Sequence, residues 1–228
     1  MAISIVNPYS VAPSGPFNEL EFLDHAYDAS SAVSGGDGTD LTGWDDLIGS
    51  LDMTVFSSWP VYRAATTSMN NEPAVEFTDS DSMTTATTAA WTFPYTKVLV
   101  FELQTVQSGR YIIGAESGRA DMRQDTSYYR AYGGAFLNSG TAPAAGQKIL
   151  VWIVYDSSGA IRVNGTTVSG STGTTASYGL AIGKPSRSAQ KTVFHGIADG
   201  VDLLTDNAAW VAEFETWADN KWDLGGWS

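Results

Sequence analysis

Arginine and tyrosine side chains are concentrated in one stretch of this sequence. The stretch runs from Glu116 to Tyr132, in a chain that is otherwise rich in carboxylates. Its candidate contact residues are Arg119, Arg123, Tyr128, Tyr129, Arg130 and Tyr132. Arg and Tyr are enriched at protein interfaces, and aromatic rings also stack on sugar rings. The stretch therefore predicts a surface that contacts a partner or a glycan; the alternative is a sheet edge with solvated arginines.

Carboxylates are not spaced for glycoside hydrolysis. A retaining glycosidase needs two carboxylates about 5–5.5 Å apart, which alternate positions of one strand can supply. The nearest approach to such a pair is Glu19–Asp24 in the opening segment, while Glu213 and Glu215 fall on a predicted helix. We therefore expect no glycosidase centre.

The two histidines, His25 and His195, lack the sequence context of a hydrolase. A Ser–His–Asp hydrolase would combine one of them with a strained nucleophile turn such as G-x-S-x-G, and no such motif occurs. The run Gly35–Gly38 is followed by no lysine and opens no helix, so it is not a phosphate loop. We expect a protein that is not an enzyme and needs no cofactor.

Asp79 and Asp81 are the residues closest to a metal-binding pattern. Alternate carboxylates offer the hard oxygen ligands that calcium prefers. The glycine and terminal glutamate of a calcium loop are missing, so Asx turns are the alternative, and we predict no metal site. The chain has no cysteine, which excludes disulfides and thiolate metal sites.

The elements that must position these residues are predominantly strands. Asn164-Gly165 favours the positive φ angles of a type I′ hairpin turn. Apolar, β-branched and aromatic runs predict strands on either side of this turn and elsewhere: Trp91–Leu103, Gly109–Gly114, Lys148–Tyr155, Ala160–Val163, Tyr178–Gly183 and Thr192–Leu204. Tight turns between strands predict an antiparallel sheet in which Lys148–Tyr155 is a buried central strand.

A single helix is predicted at the end of the chain, over Thr205–Trp222. Thr205 or Asp206 can cap its first turn. Trp210, Phe214 and Trp217 are spaced to form one apolar face. We expect this face to pack against the sandwich and to take no part in chemistry.

The net charge of −13 is concentrated in the first part of the chain. Residues 1–96 contain thirteen carboxylates and one arginine, while residues 97–228 contain twelve carboxylates and eleven cations. Nucleic acids and anionic membranes require clustered cations, so we expect neither as a partner. The N-terminus shows no secretory signal, and the longest apolar run, Ile149–Tyr155, is too short to span a bilayer. We expect a soluble protein made in a cytoplasm.

The sequence predicts three segments. Residues 1–16, with prolines at 8, 13 and 16, form an extended arm; residues 17–204 form one β domain; and residues 205–228 form the helix and a tail. The arm is either disordered or docks on a neighbouring subunit. Its candidate anchors are Ile3, Ile5, Val6 and Tyr9.

Four motifs in the second half occur in the order seen in the laminin G-like, or concanavalin A-like, jelly-roll family, which the chain resembles. They are Trp152–Asp156, Val163–Gly165, Leu180–Gly183 and Phe194–Asp199. The first half resembles phage and bacterial members of this family at further positions: Asp28-Ala29-Ser30, Trp44, Asp46-Leu47, Gly49, Pro60-Val61-Tyr62 and Asn71–Met83. The predicted helix resembles the C-terminal helix of the same proteins, through Leu204, Thr205, Glu213, Trp217, Ala218, Lys221 and Trp222.

This resemblance implies an all-β, antiparallel jelly-roll β-sandwich with a C-terminal helix. It is strongest to virion proteins of tailed phages, and it implies a non-enzymatic capsid decoration protein that is assembled in the host cytoplasm. Its partners would be the major capsid protein or other virion subunits, with several copies on each particle. The alternative is a glycan-binding module for adsorption to a cell surface, and a glycoside hydrolase is a distant third.

Overall fold

The computed structural model describes residues 17–118, 120–182 and 188–226. Five candidate residues lie outside these ranges: Ile3, Ile5, Val6, Tyr9 and Arg119. The strands, in chain order, are β1 (His25–Asp28), β2 (Ala32–Ser34), β3 (Leu41–Trp44), β4 (Met53–Ser57), β5 (Val61–Thr66), β6 (Glu72–Phe77), β7 (Ser82–Thr84), β8 (Tyr95–Leu103), β9 (Arg110–Gly114), β10 (Ser117–Gly118), β11 (Asp121–Gln124), β12 (Tyr129–Tyr132), β13 (Phe136–Asn138), β14 (Lys148–Tyr155), β15 (Ala160–Val163), β16 (Thr166–Ser169), β17 (Ser177–Tyr178), β18 (Ala181–Ile182) and β19 (Gln190–Ala198). The helices are α1 (Leu203–Asp206) and α2 (Ala208–Trp222).

Two antiparallel sheets face each other. The first sheet has the order β16-β15-β14-β8-β19-β6-β5, with β1 also paired to β19. The second has the order β13-β12-β11-β9-β18-β7-β4-β3-β2, and β10 pairs separately with β17. Neighbours in each sheet come from distant parts of the chain, so the strands cross repeatedly between the sheets. The predicted all-β antiparallel jelly-roll sandwich is confirmed.

The predicted central strand is β14. It pairs with β8 on one side and β15 on the other, and its residues from Ile149 to Tyr155 are buried. The turn after β15 has positive φ angles at both Asn164 (44°) and Gly165 (77°), as its sequence predicts. The apolar, β-branched run thus forms β14, and the Asn164-Gly165 pair forms the turn after β15.

The main core lies between the two sheets. Alternate residues of each strand point inward, so Leu99 and Phe101 of β8 meet Ile113 of β9 and Met122 of β11 in one buried cluster. The intervening residues of β8, such as Val98 and Val100, point outward from the first sheet and belong to a second cluster.

Helix α2 covers the outer face of the first sheet. Phe214 packs at 5.1 Å from Trp152 and 5.4 Å from Phe194, measured between ring centroids. Arg162 of β15 binds the Glu215 carboxylate with Nε and Nη2 at 2.7 and 2.8 Å. Trp210 and Phe214 are therefore buried on the sheet, as predicted, and Trp217 is half-buried beside them.

The helix begins differently from the prediction. Asp202, and not Thr205 or Asp206, caps the short helix α1, and its side chain accepts a hydrogen bond from the Thr205 amide. Helix α2 begins after Asn207, whose φ and ψ of −129° and 34° interrupt the helical backbone. Three potential capping residues lie close together at 202, 205 and 206, and the sequence pattern alone does not select among them.

Candidate binding surface

Strands β9, β11, β12 and β13 lie side by side at one end of the second sheet. Their inward residues, including Met122, Tyr129 and Ala131, belong to the main core. The alternate residues lie on the outer face, where several form what we call the arginine–aromatic surface. Its members are Tyr111, Arg123, Tyr128, Arg130, Tyr132, Phe136 and Asn138.

Arg123 lies between two aromatic rings. Its Cζ atom is 4.2 Å from the centroid of Tyr111 and 5.8 Å from that of Tyr132. Its Nε and Nη2 donate to the two carboxylate oxygens of Asp121 at 2.9 and 3.0 Å. Burial lowers the pKa of Arg123, but the hydrogen bonds and charge of Asp121 outweigh this and raise it above its ordinary value. The guanidinium of Arg123 is thus held in position by two aromatic rings and one carboxylate.

Arg130 has aromatic neighbours of the same kind but different polar partners. Its Cζ atom is 5.0 Å from the centroid of Tyr128 and 4.7 Å from that of Phe136. Its Nε donates to Oδ1 of Asn138 at 3.0 Å, and its Nη2 donates to the Tyr128 hydroxyl. Both acceptors are neutral. Within the described part of the chain, no carboxylate forms an ion pair with Arg130.

Tyr132 and Phe136 complete the surface. They are directly opposite each other on β12 and β13, with ring centroids 4.4 Å apart. Phe136 is 54% exposed. A large aromatic side chain with this exposure offers an apolar face to a ligand.

Four of the predicted contact residues, Arg123, Tyr128, Arg130 and Tyr132, are brought together here. The prediction for Tyr129 was wrong, because its side chain is fully buried and packs edge-on against Phe101. The physical reason is strand alternation, since Tyr129 precedes the outward-facing Arg130 by one residue. Arg119 lies outside the described residues.

Tyr111, Phe136 and Asn138 were missed by the sequence analysis. A signal for two of them exists in the Gly133-Gly134 turn, which joins β12 to β13. A hairpin at this turn places Phe136 opposite Tyr132 and Asn138 opposite Arg130. Tyr111 comes from β9, and only the observed pairing of β9 with β11 places it opposite Arg123.

Small residues follow on the neighbouring strands towards the other end of the sheet, and Thr84, Gly114 and Ala181 among them are buried. Thr54, Thr84, Ala181 and Gly114 follow one another as direct partners on β4, β7, β18 and β9. A Cβ atom added at Gly114 would meet no other atom within 4 Å.

The two histidines have different surroundings. His25 Nδ1 lies 2.6 Å from Oδ2 of Asp46, but Asp46 also accepts hydrogen bonds from the backbone amides of Ala26, Ile48 and Leu51. This carboxylate therefore holds the loop after β3 in place. His195 is fully buried in the main core, and neither of its ring nitrogens has a hydrogen-bond partner among the described protein atoms.

A buried lysine lies beneath the surface. Lys97 of β8 points into the sandwich, and its Nζ donates to the carbonyl oxygens of Gly114 at 2.9 Å and Ala120 at 3.2 Å. Burial lowers its pKa to about 7, against the opposing influence of the Asp121 charge. The lysine links the first sheet to the backbone on either side of β10.

Asp79 and Asp81 adopt a turn. Oδ2 of Asp81 accepts a hydrogen bond from the Thr78 amide at 2.7 Å, and the Asp81 amide donates to the Thr78 carbonyl oxygen at 3.3 Å. This side-chain bond runs back three residues and so differs from the forward bond of an Asx turn. In the described ranges, no group of three or more His, Cys, Asp or Glu residues is placed to hold a metal ion. None of the described helices has the length and apolar character needed to cross a membrane.

Comparison with known proteins shows the fold. No family model and no curated protein sequence matches this chain. Domain 4 of AbnA, an extracellular arabinanase of Geobacillus stearothermophilus, matches with a TM-score of 0.58 and 12% identity, over 78% of this chain and 92% of that domain. The Trypanosoma rangeli sialidase matches at 0.57 and 15% identity, over 86% of this chain and 32% of its own.

A third match is the binding domain of botulinum neurotoxin serotype G, with a TM-score of 0.55 and 8% identity, over 84% of this chain and 51% of that one. The chain thus spans about a third of the sialidase and nearly all of the arabinanase domain. At these identities the matches establish the concanavalin A-like jelly-roll fold and nothing finer.

Proposed function

We propose that this chain is a non-enzymatic binding module that holds a glycan on the arginine–aromatic surface. The observation that carries the proposal is the convergence of two guanidinium groups and four aromatic rings on the outer face of one sheet. Each ring packs against an arginine or against another ring. Such a surface is organised before it meets a ligand, which lowers the entropic cost of binding.

The chemistry of the surface suits sugar rings. The C–H faces of a sugar pack on aromatic rings, and Phe136 offers the most exposed one. Sugar hydroxyls can accept hydrogen bonds from guanidinium groups. They can also donate to, or accept from, the side-chain amide of the exposed Asn138. Because the surface lies on extended strands, we expect it to bind along a stretch of polymer.

The fold is compatible with this function. The arabinanase domain that matches this chain is described in complex with arabinotriose. Fold alone does not carry function between proteins, so this comparison supports the proposal only by analogy.

We also propose that the chain does not hydrolyse the glycan. Hydrolysis requires two carboxylates, one on each side of the bond. Asp121 is the carboxylate nearest the centre of the surface, and both of its oxygens accept hydrogen bonds from Arg123. Both oxygens are therefore occupied by the guanidinium, so Asp121 is poorly placed to donate a proton to a glycosidic oxygen.

The proposal is tested by binding to a panel of immobilised polysaccharides, including arabinan. We expect saturable binding that Phe136→Ala abolishes. Trp59→Ala is the matched control, because Trp59 is a similarly exposed aromatic residue (52%) in the loop after β4, outside the surface. Absence of binding to every polymer, or equal binding by Phe136→Ala and the wild type, would contradict the proposal.

A second candidate function is that of a virion subunit docked on a capsid. Arg and aromatic residues are also typical of protein interfaces, and Phe56 and Trp59 present further exposed rings, at 55% and 52%. In this alternative, residues 1–16 would help to anchor the chain on the particle. Particles that lack the protein should rebind it saturably, and deletion of residues 1–16 should prevent this. Failure to rebind would exclude this alternative without affecting the first.

A further inference from the structure

We propose that the ligand of the arginine–aromatic surface is an acidic glycan, and that Arg130 binds the carboxylate of its sugar. This inference rests on the proposed glycan-binding function and names its substrate class. It comes from a difference between the two arginines of the surface, which are similar in their stacking and dissimilar in their polar partners.

Arg123 already has an anionic partner. Asp121 occupies one edge of its guanidinium with two hydrogen bonds of 2.9 and 3.0 Å. A ligand carboxylate would have to displace Asp121. It would lose translational entropy on binding, whereas Asp121 belongs to the same chain and does not. Arg123 is therefore suited to hold the surface together and unsuited to recognise an anion.

Arg130 has only neutral acceptors, the Asn138 side-chain oxygen and the Tyr128 hydroxyl. A guanidinium has five N–H donors, so donors are left for a ligand. Tyr128 and Phe136 lie against Arg130 at 5.0 and 4.7 Å and restrict its movement. Nε and one Nη2 hydrogen are used within the surface, so the Nη1–Nη2 edge is where a carboxylate can form paired hydrogen bonds.

The local charge favours an anion although the whole chain repels one. The net charge of the chain is −13, but strands β11, β12 and β13 carry two arginines, Arg123 and Arg130, and one carboxylate, Asp121. Arg123 lies directly opposite Arg130, and Asp121 balances its charge, so Arg130 supplies the remaining positive charge of the surface. Asp125, a surface carboxylate, also interacts with Arg130, but its pKa is lowered chiefly by the Thr126 amide and least by the charge of Arg130.

The test compares acidic polysaccharides with chemically matched neutral forms. Polygalacturonate, alginate and hyaluronan are each prepared with free carboxylates and with the carboxylates esterified, which removes the charge and keeps the sugar rings. We expect the wild type to bind at least one free acid about tenfold or more tightly than its ester, as a charge-assisted hydrogen bond implies. We expect added salt to weaken this binding.

Three variants locate the effect. Arg130→Gln should remove the preference for the acid, and Arg130→Lys should recover only part of it, because an ammonium cannot form the paired contact. Arg110→Gln is the control, since Arg110 bonds Gln107 outside the surface and should not matter. Melting temperatures of all variants confirm that they are folded.

The outcomes separate the two proposals. Equal binding of acid and ester, or a preference unchanged in Arg130→Gln, overturns the acidic ligand. If that binding is lost in Phe136→Ala, the glycan-binding function itself stands. Absence of binding to every polymer, acidic or neutral, refutes both.

Discussion

Arg123 and Arg130 lie directly opposite each other on β11 and β12, and of the two only Arg123 is bound by a described carboxylate. Like charges in opposite positions on neighbouring strands destabilise a sheet. Asp121 offsets this repulsion by binding Arg123 from the same strand. The surface therefore keeps one arginine neutralised and leaves the other available.

Removing that neutralisation should weaken the fold. We expect Asp121→Asn to lower the free energy of unfolding by about 1–2 kcal/mol, because Arg123 loses a charged partner and still faces Arg130. Urea denaturation at low and high salt measures the loss, which should shrink as salt screens the two arginines. Asp125→Asn, which removes a surface carboxylate on the same hairpin, should change stability little. A loss of equal size in both variants would contradict this explanation.

Lys97 should make stability depend on pH above neutrality. Its pKa is about 7 in the folded protein and about 10.4 when unfolded, so between these values the unfolded chain binds more protons. The free energy of unfolding must then rise with pH, by about 3 kcal/mol from pH 7 to pH 10. In this range the lysine is neutral in the folded protein and still charged in the unfolded chain. A neutral amine still has two N–H groups, which match the carbonyls of Gly114 and Ala120.

The measurement is urea unfolding of the wild type and Lys97→Met at pH 6.5, 8 and 9.5. We expect the stability of the variant relative to the wild type to fall steadily as pH rises. Lys148→Met is the control, because that lysine lies at the surface. A constant difference across this range would show that the buried amine does not titrate there, and the wild-type slope alone tests the point if Lys97→Met does not fold.

His195 should make stability depend on pH on the acid side. Burial, followed by the charge of Lys97, lowers its pKa to about 3, whereas the unfolded imidazole titrates near 6.5. Stability should therefore fall as pH decreases from 6.5 to 3, since only the unfolded chain takes up the proton.

Phenylalanine can replace this imidazole as a test. His195→Phe removes two ring nitrogens without partners, so at pH 7 we expect it to be neutral or stabilising by about 1 kcal/mol. Its advantage over the wild type should grow at pH 5. The measurement is thermal unfolding of the variant and the wild type at both pH values. A destabilised variant would mean that the imidazole has an unrecognised partner.

The contact between helix and sheet should be sensitive at Phe214. This side chain is fully buried and meets Trp152, Phe194, Trp210 and Trp217. We expect Phe214→Ala to lower the free energy of unfolding by about 3–5 kcal/mol through lost burial and a remaining cavity. Thr216→Ala, on the exposed side of α2, should cost less than about 0.5 kcal/mol. A small effect of Phe214→Ala would indicate that α2 detaches easily.

Gly173 should support the surface from a distance. Its φ is +91°, and a Cβ atom there would lie 2.4 Å from the Gly133 carbonyl oxygen and 2.5 Å from the Ala135 amide nitrogen. Gly173→Ala must therefore displace the β12–β13 turn that positions Tyr132 and Phe136, with a loss of about 2 kcal/mol or more. Gly146→Ala, with φ +76° and open space around it, should cost about 1 kcal/mol. Polysaccharide affinity should fall only in the first variant.

Local signals predicted much of the first sheet. The apolar run of β14 and the Asn164-Gly165 turn act over a few residues, and the structure reproduces both. The inward position of Tyr129 was not predicted, because its one-residue offset from Arg130 depends on where β12 begins. Lys97 was not predicted as a core residue, since the carbonyls that accept its hydrogen bonds lie 17 and 23 residues away. Hydrogen bonds that satisfy a buried polar side chain from the opposite sheet cannot be predicted from the residues next to it in the sequence.

The position of α2 has a consequence for valency. The helix occupies the outer face of the first sheet, so each chain presents the outer face of the second sheet, with one arginine–aromatic surface, to a ligand. Under the proposed glycan-binding function, a single copy would bind a polymer at one place and would not cross-link two polymer strands through opposite faces. Copies fixed side by side would bind the same strand together, and their combined avidity would exceed the affinity of any one of them. Under the same proposal, strong adhesion would require an array of copies.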